Sequence, residues 1–197
     1  MRIFGLALGL AMALAAPVTA LSIPSNGKLN FDVVRKGKDI GDHSYRFSGT
    51  AAALTVKVTT DIVVKVPLIR TTAYSFRHAS VESWKNGKLM QLSSTTDDDG
   101  DPHQLQTANK GALPASLWND DILRSGKLMN TIDGTLMNIR AADLGMETVK
   151  TRRGSISAHH YRLSGGLARD LWYDVAGNLA QVAFKADDGS TVMYIRK

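Results

Sequence analysis

The chain has 197 residues, a formal net charge of +6 and no cysteine. The absence of cysteine excludes disulfide bonds, zinc sites built from thiolates and a cysteine nucleophile. The positive charges are scattered along the chain, a pattern typical of a solvated surface rather than of a nucleic-acid-binding face.

Residues 1–20 have the three-part layout of a secretory signal peptide. Met1 and Arg2 form a short positive start, residues 3–16 are apolar or small, and Val18-Thr19-Ala20 supplies the residues expected before a cleavage site. The apolar run is shorter than the roughly 20 residues that a membrane span requires. We therefore expect cleavage after Ala20, a periplasmic or secreted product without a transmembrane segment, and one antiparallel β domain over residues 21–197.

Segments of strand length alternate with turn dipeptides along the rest of the chain. The strongest turn signals are Asn86-Gly87, Asp99-Gly100, Asp133-Gly134, Gly177-Asn178 and Asp188-Gly189. Residues 54–66 show period-two alternation, which places one set of side chains on a core face and the other in water. Such a run would extend roughly 43 Å at about 3.3 Å per residue, so we expect it to bend or to be split by a turn near Thr60-Asp61.

The pattern predicts fourteen strands, with boundaries good to a few residues. They are residues 28–36, 40–48, 52–59, 61–66, 69–84, 88–96, 102–109, 127–132, 135–141, 146–151, 156–164, 168–174, 178–186 and 190–196.

One segment departs from the β pattern. Around Pro114 the apolar residues stand at helical offsets: Leu113 and Leu117 could share one face, with Trp118 and Ile122 as further candidates. Because proline is favoured in the first turn of a helix, we predict a short helix from Pro114 to Leu123 that caps an open end of the sheet. The predicted fold is thus all-β, a strongly curved antiparallel sheet in the form of a half-open barrel or β-clam with one short helix. A β-sandwich is the alternative.

No motif fixes a reaction, a cofactor or a metal. The acidic run from Asp97 to Asp101 lacks the spacing of a calcium loop and is typical of a hairpin turn. Among the five histidines, His43 shares a strand face with Tyr45 and Phe47, and His78 lies in a similar aromatic setting, so the two could line a pocket together. The chain contains no Gly-x-Ser-x-Gly nucleophile motif. We therefore predict no catalytic residues, no metal site and no cofactor.

Several segments resemble domain-of-unknown-function family 6134, a group of exported bacterial proteins. The segments that carry the resemblance are Phe31–Gly41, the hairpin from Glu82-Ser83-Trp84 to Leu89, Thr96–Gly100, Pro114–Asn119 and Leu171-Trp172-Tyr173-Asp174. The resemblance covers nearly the whole of the expected mature chain, and the segments follow one another in the order typical of the family. The resemblance implies an antiparallel sheet and brings no catalytic residues with it.

A sheet of this size must bend, and its concave apolar face must be filled by side chains, a helix or a ligand. We predict that this face binds a lipid or another apolar molecule without catalysis. The predicted lining residues are Tyr45, Phe47, Tyr74, Phe76, Leu117 and Trp118. The same residues could instead form a closed core.

Two other functions stay open. An envelope protein-interaction or structural module would show an exposed apolar patch or an open edge strand. A hydrolase would bring His43 or His78 beside a carboxylate and a hydroxyl in a cleft. Export argues against a nucleic-acid partner.

Overall fold

The computed structural model describes residues 21–66 and 71–197. The predicted signal peptide falls on residues 1–20, which lie outside the described part. The strands in the described part are β1 Lys28–Arg35, β2 Lys38–Thr50, β3 Ala53–Lys65, β4 Thr72–Lys85, β5 Lys88–Asp98, β6 Asp101–Ala108, β7 Leu113–Pro114, β8 Lys127–Met129, β9 Leu136–Thr151, β10 Gly154–Gly165, β11 Arg169–Asp174, β12 Leu179–Lys185 and β13 Thr191–Arg196. The helix α1 covers Ile122–Ser125.

These strands form one sheet in the order β6-β5-β4-β3-β2-β1-β13-β12-β11-β10-β9-β8-β7. Neighbours pair antiparallel throughout, except for the short parallel pair of β7 and β8. The first and last strands meet in the middle of the sheet, where Phe31 lies opposite Arg196. The all-β fold with an antiparallel sheet and one short helix is therefore confirmed, and the described residues contain no second sheet of the kind that a sandwich requires.

The sheet curls around one main core without closing into a barrel. Leu29, Trp84 and Leu128 come from distant strands and share this core, which lies on the concave face. Trp172 faces the other way and packs with Val149 and Ala180 in a smaller cluster on the convex face. The β9–β10 hairpin contacts β12 and β13 on this face, and Arg152 in its turn pairs with Asp32 of β1.

Two predicted breaks in the strands are absent. The run through Thr60-Asp61 stays one strand, β3, which pairs with β2 from Ala53 to Ile62 and with β4 along its whole length. Gly41 makes this close pairing feasible, since a Cβ there would lie 1.9 Å from the Asp61 carbonyl oxygen. The predicted strands 135–141 and 146–151 also merge into β9, because the residues around Gly145 form a bulge opposite His160 rather than a turn.

The short helix lies further along the chain than the proline predicted. Leu113 and Pro114 belong to β7, and α1 begins only at Ile122. Leu117 has a φ of 68°, a left-handed conformation that interrupts a right-handed helix. The carbonyls of Ser116 and Leu117 accept hydrogen bonds from tyrosine side chains of the sheet instead of from helical N–H groups.

Residues 109–135, which we call the crossing segment, run from β6 at one edge of the sheet to β9 near the other edge. Part of this segment packs into the concave face, where Trp118 is almost wholly buried. The crossing segment therefore covers the concave face, the position for which the sequence predicted a short helix.

Candidate functional site

A cavity of about 380 Å³ lies between the concave face of the sheet and the crossing segment. The strands contribute its floor, and residues 115–117 and 130–132 contribute a wall. Its apolar lining includes Val58, Phe76, Leu117, Ile132, Val182 and Phe184. The volume is near the lower end of the range of roughly 300–1,000 Å³ found for small-molecule sites.

Two buried histidines lie in the cavity lining. The Nδ1 atom of His43 is 2.7 Å from the Thr60 hydroxyl, and that of His78 is 2.8 Å from the Thr96 hydroxyl. The Nε2 atom of His43 is buried and has no hydrogen-bond partner among the described residues. Burial, with a smaller contribution from His78, lowers the pKa of His43 to about 3, and burial also lowers the pKa of His78. Both rings are therefore neutral at pH 7.

Arg169 brings a positive charge to the same cavity. Its guanidinium carbon lies 4.0 Å from the centre of the Phe184 ring, and an N–H donates to the Ala168 carbonyl at 2.8 Å. Burial lowers the pKa of Arg169, which nevertheless stays charged at pH 7. Tyr194 belongs to the same lining, and burial raises the pKa of Tyr194 to about 12.

Three contacts hold the crossing segment against the sheet. The Tyr45 hydroxyl donates to the Ser116 carbonyl at 2.5 Å, and the Tyr173 hydroxyl donates to the Leu117 carbonyl at 2.7 Å. The Trp118 indole donates to the buried carboxylate of Glu82 at 2.9 Å. The cavity wall is thus fixed by bonds to the sheet, as expected for a preformed site.

Residues 31–197 match the family model of DUF6134, a domain of unknown function. The chain belongs to this family. The match confirms the resemblance seen in the sequence.

Other comparisons add little. No curated protein matches the chain. A crystal structure of a DUF1329 family protein from Desulfovibrio piger ATCC 29098 matches over 86% of this chain and 82% of that chain, with 11% identity and a TM-score of 0.21. A likeness at this level bears neither on fold nor on function.

The six residues predicted from the sequence fall in three places in this DUF6134 protein. Tyr45, Phe76 and Leu117 line the cavity. Phe47 and Trp118 pack edge to face beside it, with ring centres 5.2 Å apart. Tyr74 is absent from the lining, and its hydroxyl donates to Asp98. That these residues contact a ligand stays a prediction.

The six predicted ligand-binding residues do not include most of the polar side chains that line the cavity. Strand alternation had placed His43 and His78 on aromatic faces, and both line the cavity. Val182 and Phe184 stand two residues apart in β12 and both line the cavity, so strand alternation is the signal that could have found them. Arg169 had no such signal, because it opens a strand after a glycine-rich turn and looks like an ordinary surface charge in the sequence.

The described residues do not show the geometry that a hydrolase requires in this cavity. Both cavity histidines face threonine hydroxyls, and no carboxylate lies within hydrogen-bond reach of either ring. His160 does lie 2.9 Å from both Glu147 and Asp170, but it stacks on Trp172 on the convex face.

The acidic run of the β5–β6 turn is taken up by hairpin contacts. Asp97 accepts from the Gly100 N–H, and Asp99 accepts from the Ser75 N–H. Within residues 21–66 and 71–197, no group of three or more histidine, aspartate or glutamate side chains is placed to hold a metal ion.

The sheet also has an open edge at β9. This strand pairs with β10 from Ile139 to Thr151, but on its other side only Leu136–Asn138 pair, with β8. Two apolar side chains on the open stretch are exposed, Leu144 by 43% and Met146 by 55%. In the part of the chain that the structure describes, no helix has both the length and the apolar character to cross a membrane.

Proposed function

We propose that this protein is an exported, non-catalytic binding protein of the bacterial envelope that holds a small apolar or amphipathic molecule, such as a lipid. The observation that carries the proposal is the cavity of about 380 Å³ between the curled sheet and the crossing segment. Such a mixture of apolar walls and a few converging polar groups is typical of small-molecule sites.

The chemistry of the lining favours binding over catalysis. The histidines are neutral and bonded to threonines, so neither has the carboxylate partner that would orient it as a general base. The aromatic and aliphatic walls offer apolar contact area instead. A ligand that covers them gains roughly 25 cal/mol per Å² of apolar surface removed from water.

The size of the cavity limits what it can enclose. At about 380 Å³ it accommodates one small molecule or part of one acyl chain. A larger lipid would therefore insert one portion and leave the remainder at the mouth.

Native mass spectrometry on protein exported and purified without detergent tests the proposal. We expect an added mass that solvent extraction recovers as a lipid or another amphipathic compound. A clean apoprotein mass, with no uptake when the protein is incubated with envelope lipid extract, would overturn the proposal.

A matched pair of variants locates the ligand. Val58 lines the cavity, whereas Lys57 is exposed on the opposite face of the same strand. Val58→Phe fills the cavity, so we expect it to abolish the added mass, while Lys57→Phe leaves it unchanged. Equal occupancy in both folded variants would place the ligand elsewhere.

A second candidate function is an envelope interaction module, favoured by the open edge of β9. An exposed strand edge with unpaired backbone groups is a template for another strand. A photo-crosslinking residue at Met146 in exporting cells should then give a discrete product that Leu144→Lys reduces. The same products with and without Leu144→Lys would contradict an edge-pairing role.

A further inference from the structure

Arg169 presents an unusual electrostatic situation in the cavity. Apart from the two neutral histidines, it is the one ionisable side chain with a basic group among the described lining residues, and no aspartate or glutamate stands in that lining. Its guanidinium bonds to one backbone carbonyl and lies over the Phe184 ring. None of the carboxylates in residues 21–66 and 71–197 is within ion-pair distance of it.

The neighbouring acid does not neutralise this charge. Asp170 follows Arg169 in β11, and successive side chains of a strand point to opposite faces. Asp170 accordingly pairs with His160 and Arg162 on the convex side. A partly buried cation without a counter-ion is unfavourable, because burial removes water that no fixed charge replaces.

We propose that the cavity binds an anionic amphiphile, with its negatively charged oxygen head on Arg169 and its apolar tail along Val58, Phe76 and Phe184. This inference rests on the proposed function and specifies the ligand class for the same cavity. A guanidinium presents paired N–H donors that match a carboxylate or a phosphate oxygen pair.

A second polar group supports the same assignment. The Nε2 atom of His43 is buried without a partner, and His43 is only 7% exposed. When the Thr60 hydroxyl donates to Nδ1, the proton of the neutral ring resides on Nε2, a buried donor without a partner in a residue of the cavity lining. A ligand oxygen would satisfy this donor, and a purely hydrocarbon ligand would leave it unsatisfied.

Isothermal titration calorimetry with three matched ligands on the solvent-stripped full chain tests the inference. Decanoate and decyl phosphate carry anionic heads, and decanol carries the same tail with a neutral head. Because a charge-assisted bond contributes about 1.5–3 kcal/mol, at least one anionic ligand should bind roughly 10- to 100-fold more tightly than decanol. Whichever anion binds more tightly distinguishes a free carboxylate from the phosphate of a lipid head.

Arg169→Gln should remove this preference. We expect it to weaken anion binding about 10- to 100-fold and to change decanol binding by less than about threefold. Arg169→Lys should retain part of the preference, because it keeps the charge and loses the paired donors. Arg153→Gln is the matched control, since Arg153 is exposed in the β9–β10 turn and does not line the cavity.

The outcomes separate the two proposals. Equal binding of decanol and both anions by the unmodified protein would overturn the anionic ligand and leave apolar binding intact. Binding of none of the three, together with a clean apoprotein mass, would overturn the proposed function itself. If Arg169→Gln does not fold, the ratio of anion affinity to decanol affinity is measured in the unmodified protein and in Arg169→Lys. That ratio then decides whether the cavity prefers an anionic ligand.

Discussion

At the scale of single residues, Glu82 is the most deeply buried acid in the described part of the protein. It is fully buried, and one carboxylate oxygen, Oε2, accepts from both the Trp84 and the Trp118 indoles at 2.9 Å. The other oxygen has no partner of its own in the described structure. Burial raises the pKa of Glu82, although the indoles and Ser116 act in the opposite direction. The residue joins the crossing segment to the sheet through one shared acceptor.

Glu82→Gln should therefore stabilise the protein as the pH rises above about 4.5. Between its ordinary pKa of 4.5 and the raised value, folded Glu82 holds a proton that the unfolded chain has released, so unfolding becomes easier with increasing pH. Glutamine keeps an acceptor for the indoles and carries no charge. Urea unfolding at pH 4 and pH 7 should show a gain for the variant at pH 7 relative to pH 4.

Glu82→Ala gives the contrasting result. It leaves two buried indole N–H groups unpaired and opens a void, which should cost about 2–5 kcal/mol of unfolding free energy. A loss below about 1 kcal/mol would show that the indole bonds do not secure the crossing segment.

At the scale of elements, the crossing segment is an irregular chain held by side chains of the sheet. Its backbone carbonyls at Ser116 and Leu117 would be unsatisfied inside the core without the hydroxyls of Tyr45 and Tyr173. Leu117 also adopts a left-handed conformation, which these bonds help to maintain.

Tyr45→Phe and Tyr173→Phe should each lower the unfolding free energy by about 1–2 kcal/mol. Since both bonds hold adjacent carbonyls, the double variant should in addition increase amide hydrogen exchange in residues 115–121 before global unfolding. Hydrogen exchange with mass spectrometry measures this. Tyr161→Phe is the control, because Tyr161 is only partly buried beside the core and no described hydrogen bond involves its hydroxyl. An equal increase in amide hydrogen exchange across all strands of the sheet would argue against local anchoring of the crossing segment.

At the scale of the whole molecule, the two cavity histidines make the fold sensitive to acid. The pKa of His43 falls from 6.5 in the unfolded chain to about 3 in the folded protein, and that of His78 is also lowered. Below pH 6.5 the unfolded chain therefore binds protons that the folded protein does not bind, and the unfolding free energy falls as the pH falls.

We expect the unfolding free energy to decline between pH 6.5 and about pH 3, with a slope approaching 1.4 kcal/mol per pH unit from His43 and an additional slope just below pH 6.5 from His78. His43→Gln should flatten this decline. The same substitution at the half-exposed His103, which does not line the cavity, is the control. Denaturant titrations at several pH values measure the slopes, and parallel curves for all three proteins would refute the assignment.

Much of the sheet could be predicted because its information is local. Period-two alternation and turn dipeptides identified nearly every long strand, including β2 and β12. The failures came from neighbours that the local sequence does not show. Gly41 allows β3 to continue past Thr60-Asp61, and the bulge near Gly145 keeps β9 in one piece.

The crossing segment and the cavity were harder to predict for a similar reason. Pro114 and the apolar spacing after it favour a helix locally, but the tyrosines that hold Ser116 and Leu117 come from strands distant in sequence. Arg169 reaches the cavity only because the sheet curls. Alternation shows which side of a strand a residue occupies, and it does not show what the opposite wall supplies.

The pairing of β1 with β13 has a consequence for the order of folding. Strands β1–β6 and β9–β13 are two runs of hairpins that form from contacts close in sequence, whereas the seam between them joins the two ends of the chain. Pairings between distant segments form slowly, because closing the long loop between them costs chain entropy before the strand contacts contribute any favourable free energy. The seam is therefore expected to form after both runs of hairpins, and each half exposes an unpaired central strand until then.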